Sequence, residues 1–229
     1  MPSMSSFEGA VGIAGASPEW KVVPAIPCPV VGPRQPIMNS MDASRPCRSI
    51  RPATGADIPA LTALIDFSAR RLQAGDYSPE QIEGALGTVF GVDTQLIADG
   101  TYFVVETTGE DARPVIVGCG GWSKRKTLFG SDHRPGRENQ LLDPARDNAR
   151  IRAFFVHPDW ARQGVGSMIL DTCEQAARDA GFSGFELGAT ITGERLYAVR
   201  GYRAMEKLAV PLANGTSLPI ILMVKPAHA

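Results

Sequence analysis

The chain has 229 residues, 44% of them hydrophobic, and its 23 Lys and Arg residues nearly balance its 24 Asp and Glu residues, for a formal net charge of −1. This length and composition are typical of a soluble globular protein with one large domain or two small ones. The balanced charge disfavours nucleic acid as a partner, because nucleic-acid-binding proteins gain much of their affinity by neutralising phosphates.

The cysteine, histidine and hydropathy patterns disfavour several further classes of protein. The four cysteines have no CxxC or other paired spacing, and the three histidines form no cluster with metal-ligand spacing. We therefore expect free thiols, no bound metal and a cytoplasmic location. No apolar run approaches the ~20 residues that span a bilayer, so we expect no membrane partner.

Residues 1–47 differ in composition from the rest of the chain. Eight of the 18 prolines fall there, among Gly and Ser, and no helical or strand period is visible. Proline fixes φ and has no amide proton, so this segment cannot form a sheet ladder or a long helix. The pattern predicts a disordered, Pro-rich N-terminal tail and one domain over residues 48–229. Met41 precedes the first regular residues, and we expect residues 1–40 to be dispensable for folding and activity.

The first half of the domain alternates strand and helix signals. The predicted elements are, in chain order, a strand at 49–52, helices opening at 54 and 78, and strands at 101–107, 114–122 and 150–156. Thr54 and Asp57 have the spacing of a capping box. Ser78 is the expected cap of the second helix, with Pro79 at the tolerated first position and Gln81 reaching back.

Residues 124–148 separate two of these strands and consist mainly of charged and turn-forming residues. They form a longer connection than most, and long loops tend to be either functional or mobile. A solvated loop and a lid over a bound acceptor both remain open as interpretations.

The last third of the chain predicts further alternation of helix and strand. The elements are a helix at 164–180, a strand at 182–188, a short helix at 192–200 and a hairpin of strands at 202–210 and 217–225. Gly181 supplies a helix stop, and the dipeptide Asn214-Gly215 is typical of a hairpin turn. This order of elements indicates an α+β, or mixed α/β, sheet rather than a bundle or a sandwich.

Two glycines at the start of the long helix, Gly164 and Gly166, indicate an anion site. The first amides of a helix have no intrahelical partner, and the helix dipole adds ~0.3–1 kcal/mol per anionic contact. Without a Cβ at either position a diphosphate can lie directly on the backbone, and Arg162 adds a positive charge. A coenzyme A or a nucleotide fits this chemistry, although Gly-x-Gly alone is more typical of a structural turn. Ile169 replaces the third glycine of a dinucleotide fingerprint.

Three segments together resemble the acetyl-CoA signature of GNAT-type acetyltransferases: residues 154–158 (FFVHP), 162–167 (RQGVGS) and 196–202 (LYAVRGY). The resemblance extends over about residues 49–225. It implies a GNAT-like fold, whose central, mostly antiparallel mixed sheet is splayed between its fourth and fifth strands and flanked by helices. It also implies acetyl-CoA as cosubstrate, no metal, and a primary amine of a small molecule or peptide as acceptor.

The resemblance assigns roles residue by residue. Tyr197 matches the family tyrosine that protonates the departing CoA thiolate, and the ordinary pKa values of a thiol, about 8.5, and a phenol, about 10, allow that transfer. The edge of the strand at 150–156 is implied to pair with pantetheine, and the amides that follow it to hold the pyrophosphate. The implied coenzyme-binding residues are Phe154, Phe155, Val156, Arg162, Gln163, Gly164, Val165, Gly166, Ser167 and Thr190.

Three positions depart from the family pattern. Ala161 stands where the family usually has Arg or Gln, and Thr190 replaces the family asparagine seven residues before the tyrosine. The glutamate that some members use as general base is missing, since Arg150 and Arg152 occupy that stretch. These arginines flank the expected cleft, which favours an acceptor with a carboxylate. The general base stays open among a water chain and the side chains of Glu106, His157 and Glu186.

Other functions remain open for this sequence. A non-catalytic acyl-CoA-binding module, acting as a sensor or docking partner, is the main alternative because no family base is present. A nucleotide-binding domain is a third hypothesis. Tyr197 has a structural interpretation as well, in a helix that ends on Gly201 and packs its aromatic residues. The sequence leaves both a monomer and a homodimer open.

Overall fold

The computed structural model describes residues 48–109 and 112–227, which form seven strands and five α-helices. The strands are β1 (Arg48–Pro52), β2 (Tyr102–Thr108), β3 (Pro114–Ser123), β4 (Ala149–Val156), β5 (Phe185–Thr190), β6 (Arg203–Pro211) and β7 (Ser217–Lys225). The helices are α1 (Ile58–Leu72), α2 (Pro79–Ala85), α3 (Thr94–Ala98), α4 (Val165–Asp179) and α5 (Glu194–Ala198). The predicted tail, residues 1–47, lies outside the described residues.

The strands form one sheet in the order β1-β2-β3-β4-β5-β7-β6. Every neighbouring pair is antiparallel except β4 and β5, which run in parallel. This parallel ladder contains only two residue pairs, Ala149 with Phe185 and Arg150 with Glu186. Beyond them β4 pairs with β3 and β5 with β7, so the sheet opens between its fourth and fifth strands. The predicted mixed sheet is confirmed.

Each face of the sheet carries its own hydrophobic core. Helix α1 covers one face, where Leu61, Leu64 and Ile65 are buried in the same cluster as Tyr102 and Phe155. Helix α4 covers the other face. Its buried residues are Val165, Ile169, Leu170, Cys173, Glu174 and Ala177. The opening between β4 and β5 therefore lies between two separate hydrophobic cores, one on each face of the sheet.

Helix α4 lies close to the sheet because β3 is glycine-rich beneath it. A Cβ at Gly118 would lie 2.5 Å from Cγ1 of Val165, a distance at which neighbouring atoms must move. Val165 is the first residue of α4 and is only 1% exposed. This contact anchors the N-terminus of α4 beside the end of β4.

Both predicted capping boxes are present, but the one at Thr54 caps a short 3-10 turn, Gly55–Asp57, that precedes α1. The Thr54 amide donates to Asp57 Oδ2 at 2.7 Å, and the Gln81 amide donates to Ser78 Oγ at 3.3 Å. Helix α3 was not predicted, because five residues are too few to establish a helical period. The fifth strand begins at Phe185, three residues later than expected, and Phe182 is buried in the connection that precedes it.

Two cysteines of the described residues, Cys119 and Cys173, are free and buried. Burial raises the pKa of the Cys119 thiol to about 12, so at neutral pH it is not the thiolate that nucleophilic chemistry requires. Within residues 48–109 and 112–227, no group of three or more His, Cys, Asp or Glu side chains is placed to hold a metal ion. None of the helices there has the length and apolarity to cross a bilayer.

Candidate active site

Strand β4 carries a bulge where the sheet opens. Its register with β3 shifts between Cys119 and Gly121, and Ala153 has a φ of 58°. A positive φ is uncommon for a residue with a Cβ, and such conformations, like bulges, concentrate at functional sites. The bulge therefore marks this end of β4 as a candidate binding edge.

The main chain beyond the bulge faces the opening. The His157 amide donates to Val117 O of β3 at 2.9 Å. Successive amides of a strand point to opposite sides, so the amides of Val156 and Phe154 point away from β3. Val156 thus lies beyond the end of the parallel ladder, on the side of β4 away from β3, and its pairing with a ligand stays a prediction.

The side chains of the three predicted β4 residues divide between the two faces. Phe154 and Val156 pack on the α4 side of the sheet, whereas Phe155 lies in the opposite core with its ring 6.0 Å from that of Phe90. Phe155 is only 7% exposed. Its side chain is a core residue, and a contact of Phe155 with coenzyme stays a prediction.

The loop after β4 ends in a row of amides. Gly164, with a φ of 87°, is the N-cap of α4, and its carbonyl accepts the first helical hydrogen bond from Met168 at 3.0 Å. The amides of Val165, Gly166 and Ser167 therefore have no hydrogen-bond acceptor within the helix. Gly164 is exposed, and nothing lies within 4 Å of the position of a Cβ there. The exposed backbone at Gly164 thus adjoins the partly exposed Gly166 and Ser167, whereas the side chain of Val165 is buried.

An arginine that sequence analysis missed completes this surface. An open depression of ≈ 330 Å³ is lined by Arg48, Arg162, Gln163 and Gly164. The Arg48 guanidinium donates to the Gln163 carbonyl and lies 5.7 Å from the centroid of the Trp160 ring. Arg48 is 115 positions from Gln163 in sequence, so no local pattern could have indicated it.

Helix α5 places Tyr197 beside β4. The Tyr197 ring lies 6.1 Å from that of Phe154 and 5.7 Å from that of Tyr202, in edge-to-face geometry. Burial, and secondarily the Cys173 thiol, raises the pKa of the Tyr197 hydroxyl, which therefore keeps its proton at neutral pH. Among the described residues no group accepts a hydrogen bond from this hydroxyl. A buried phenol that keeps its proton can donate it, but the rise in pKa makes Tyr197 a weaker acid than an exposed tyrosine.

Thr190 takes part in positioning Tyr197. Its hydroxyl accepts a hydrogen bond from the Gly193 amide at 3.1 Å, at the turn that leads from β5 into α5. A Cβ at Gly193 would lie 3.4 Å from Cε2 of Tyr197, so this turn packs against the tyrosine ring. The predicted contact of Thr190 with coenzyme remains a prediction.

The residues considered as general base are already engaged. Glu106 accepts a hydrogen bond from Arg51 at 2.6 Å, and Glu186 forms an ion pair with Arg150. His157 is 5% exposed, and its Nδ1 accepts a hydrogen bond from the Asp159 amide at 3.3 Å. Burial lowers the pKa of His157, which keeps the ring neutral. The general base stays open.

Arg152 does not have the acceptor-binding role that the sequence favoured. It is 5% exposed, forms an ion pair of 2.6 Å with Asp93, and donates to the carbonyls of Thr127, at 2.8 Å, and Gly130. Burial lowers the pKa of Arg152 to about 10, so it remains charged at neutral pH. Its contacts fasten the loop at residues 124–148 to β4.

This loop is anchored rather than simply solvated. Ser131 Oγ donates to the Gly87 carbonyl at 2.6 Å, and Arg125 binds Asp99 through hydrogen bonds of 2.8 and 2.9 Å. The Leu142 amide donates to the Lys124 carbonyl at 2.8 Å, which closes the base of the loop. The part of the loop that contains Phe129 therefore lies on the face of the sheet opposite α4, whereas Leu142 packs in the core on the α4 side.

A model of the acetyltransferase (GNAT) family matches residues 69–205, more than half of the chain. The chain belongs to the GNAT acetyltransferase family. The matched region contains the opening between β4 and β5, the amides at the start of α4 and Tyr197. Among proteins of curated function, none matches this chain.

Solved structures resemble this GNAT domain over most of its length. A GCN5-related N-acetyltransferase from Rhodopseudomonas palustris has a TM-score of 0.56 and 25% identity, over 82% of this chain and 99% of that one. The yncA protein of Salmonella typhimurium, solved with its cofactor acetyl-CoA, has a TM-score of 0.52 and 18% identity, over 80% and 96%. The PaiA N-acetyltransferase from Thermoplasma acidophilum, in complex with coenzyme A, has a TM-score of 0.51 and 13% identity, over 79% and 99%. The last two, below 25% identity, show the fold alone.

Proposed function

We propose that this GNAT domain is an N-acetyltransferase that moves an acetyl group from acetyl-CoA to a primary amine of a small molecule or peptide. The observation that supports it best is the convergence of three groups at one opening of the sheet. These are the unpaired edge of β4 at Val156, the first amides of α4, and the buried hydroxyl of Tyr197. The complexes of yncA with acetyl-CoA and of PaiA with coenzyme A support acetyl-CoA as the cosubstrate.

The residues at the start of α4 fit a diphosphate. The amides of Val165, Gly166 and Ser167 point out of the helix terminus, where the dipole is positive. Arg162 and Arg48 add two cations at the rim of the same depression. Pantetheine would then lie along the edge of β4, hydrogen-bonded to main-chain groups as an added strand.

The chemical step would be direct attack without a covalent enzyme intermediate. The acceptor nitrogen forms a bond to the thioester carbon while the carbon–sulfur bond breaks. The Val156 amide would polarise the thioester carbonyl, and Tyr197 would donate its proton to the leaving sulfur. The nitrogen loses its surplus proton to water, and Tyr197 regains a proton from water. Holding the two reactants together supplies much of the rate increase.

A non-catalytic acyl-CoA sensor is the second candidate function, since Glu106 and Glu186 are both held by arginines and neither is a free base. The test is CoA thiol release from acetyl-CoA with a panel of primary amines, alongside calorimetry of acetyl-CoA binding. An enzyme releases CoA only when an amine is present. Binding of acetyl-CoA without release for any amine would establish the sensor, and absence of binding by folded protein would refute both.

Replacing Arg48 with glutamine is expected to weaken coenzyme A binding about two- to fivefold. An exposed cation near an anion contributes ~0.3–1 kcal/mol, and Arg48 also supports the loop through the Gln163 carbonyl. Titration calorimetry at two salt concentrations measures this effect, which should shrink at high salt. Arg146→Gln, at a side chain that is 86% exposed, is the control. Equal affinities for wild type and Arg48→Gln at low salt would exclude Arg48 from the site.

A further inference from the structure

Arg134 lies on an aromatic ring inside the anchored loop. Its guanidinium carbon is 4.0 Å from the centroid of the Phe129 ring, and Nη1 donates to the Phe129 carbonyl at 3.2 Å. Gly130, with a φ of 102°, permits this arrangement, because a Cβ there would lie 2.2 Å from Cδ of Arg134. The backbone of the loop is therefore shaped around this one side chain.

Arg134 has no compensating carboxylate. Asp93 binds Arg152 at 2.6 Å and Arg137 at 2.9 Å, and Asp132 lies 3.7 Å from Arg137. These two acids and two arginines balance each other, and in the described part of the chain no carboxylate lies within ion-pair distance of Arg134. Burial and the charge of Arg137 lower the pKa of the Arg134 guanidinium, which still stays charged. A half-buried cation without a counter-ion favours an anionic ligand.

The position of Phe129 relates this cation to the opening of the sheet. A Cβ at Gly188 would lie 3.2 Å from Cδ1 of Phe129, so the ring rests on β5. Gly188 is two residues beyond Glu186, the last residue of β5 that pairs with β4. Phe129 packs with the α1-side core, whereas Tyr197 packs with the α4-side core. The loop with Arg134 and the general acid therefore border the opening from opposite faces.

We propose that Arg134 binds a carboxylate of the acceptor, so that the preferred acceptors are primary amines carrying a carboxylate. This inference rests on the proposed N-acetyltransferase function. A guanidinium offers two parallel N–H donors to a carboxylate, and stacking on Phe129 holds that fork in one orientation. An amine tethered to the carboxylate would approach the thioester carbon from the α1 side of the opening, which leaves the α4 side, where Tyr197 packs, free for protonation of the sulfur.

The test compares amino acids with their carboxamides as acceptors for wild type and Arg134→Gln. The variant is expected to lose about tenfold to a hundredfold in kcat/KM for the carboxylates, the range for a hydrogen bond to a charged group. It should lose less than about twofold for the carboxamides. Comparing the variant with wild type on each acceptor cancels differences in amine pKa. Arg134→Lys, which keeps the charge without the fork, should recover part of the loss.

The exposed Arg146 of the same loop provides the matched control, and Arg146→Gln should leave both classes of acceptor unchanged. The inference is overturned if wild type does not prefer carboxylates, or if Arg134→Gln and Arg134→Lys affect both classes equally. Failure of the proposed function has a different signature, namely no CoA release by wild type with any amine. Acetyl-CoA affinities of the variants, expected to match wild type, show that the coenzyme site is intact. Rates are measured well below the melting temperature of each variant, because Arg134→Gln loses the contacts with Phe129 and should be less stable than wild type.

Discussion

Replacing Tyr197 with phenylalanine is expected to lower kcat about tenfold or more while changing the affinity for acetyl-CoA little. General acids typically contribute ~10²–10⁴-fold in rate, and tenfold is a lower bound because water can replace part of the proton transfer. The Tyr197 ring packs edge-to-face on Phe154 and Tyr202, and phenylalanine keeps these contacts. The loss therefore falls on proton donation rather than on the shape of the site.

Initial rates of CoA thiol release, together with titration calorimetry, measure this effect. Tyr202→Phe is the control, since its hydroxyl donates to the buried Glu174 at 3.1 Å and serves packing rather than chemistry. That variant should lose thermal stability yet keep a kcat close to wild type for the folded fraction. A Tyr197→Phe enzyme with unchanged kcat would remove Tyr197 from the acid role.

Replacing Gly166 with valine is expected to weaken binding of both coenzyme A and acetyl-CoA by at least about tenfold, or ~1.4 kcal/mol. A Cβ at Gly166 would lie 3.1 Å from Leu196 and 3.9 Å from Val156, so a larger side chain fills the space between α4, α5 and β4. That space adjoins the amides proposed to hold the diphosphate. The close approach of an anion to the backbone depends on the missing Cβ.

Calorimetric titration of Gly166→Ala and Gly166→Val should give a graded loss of affinity, with alanine between wild type and valine. Gly75→Val is the matched control, because a Cβ at Gly75 meets nothing within 4 Å and its φ is not in the left-handed region. Melting temperatures separate a clash with Leu196 from lost binding. Unchanged affinity in a folded Gly166→Val protein would show that coenzyme does not bind at this helix terminus.

Local features of the site followed from the sequence because they depend on neighbouring residues. The cap at Ser78, the bounds of β7 and the glycines at the start of α4 all follow from patterns within a few positions. The bulge at Ala153 did not, since alanine carries no signal for a positive φ. It arises where pairing with β3 shifts register, and a register is a property of two strands.

The arginines show most clearly what the sequence could not predict. Arg152, next to the expected cleft, was expected to bind an acceptor, but Asp93 and two loop carbonyls occupy it. No ligand-binding role was expected for Arg48 or Arg134. Arg48 nevertheless lies at the rim of the amide loop, and Arg134 stacks on Phe129 above β5 without a counter-ion. The sequence shows the charge of each side chain, but it does not show which residue that side chain pairs with.

The sequence by itself determined the class of fold and the position of the amide loop before α4, and it indicated Tyr197 as the candidate acid, because each depends on residues close together in the chain. Only the tertiary structure decided which charges are satisfied and which face the opening. Those contacts join segments as far apart as Arg48 and Gln163, 115 positions, and no local periodicity encodes such a pairing. The contact of Phe129 with β5 positions Arg134, and the contact of β1 with the loop before α4 positions Arg48.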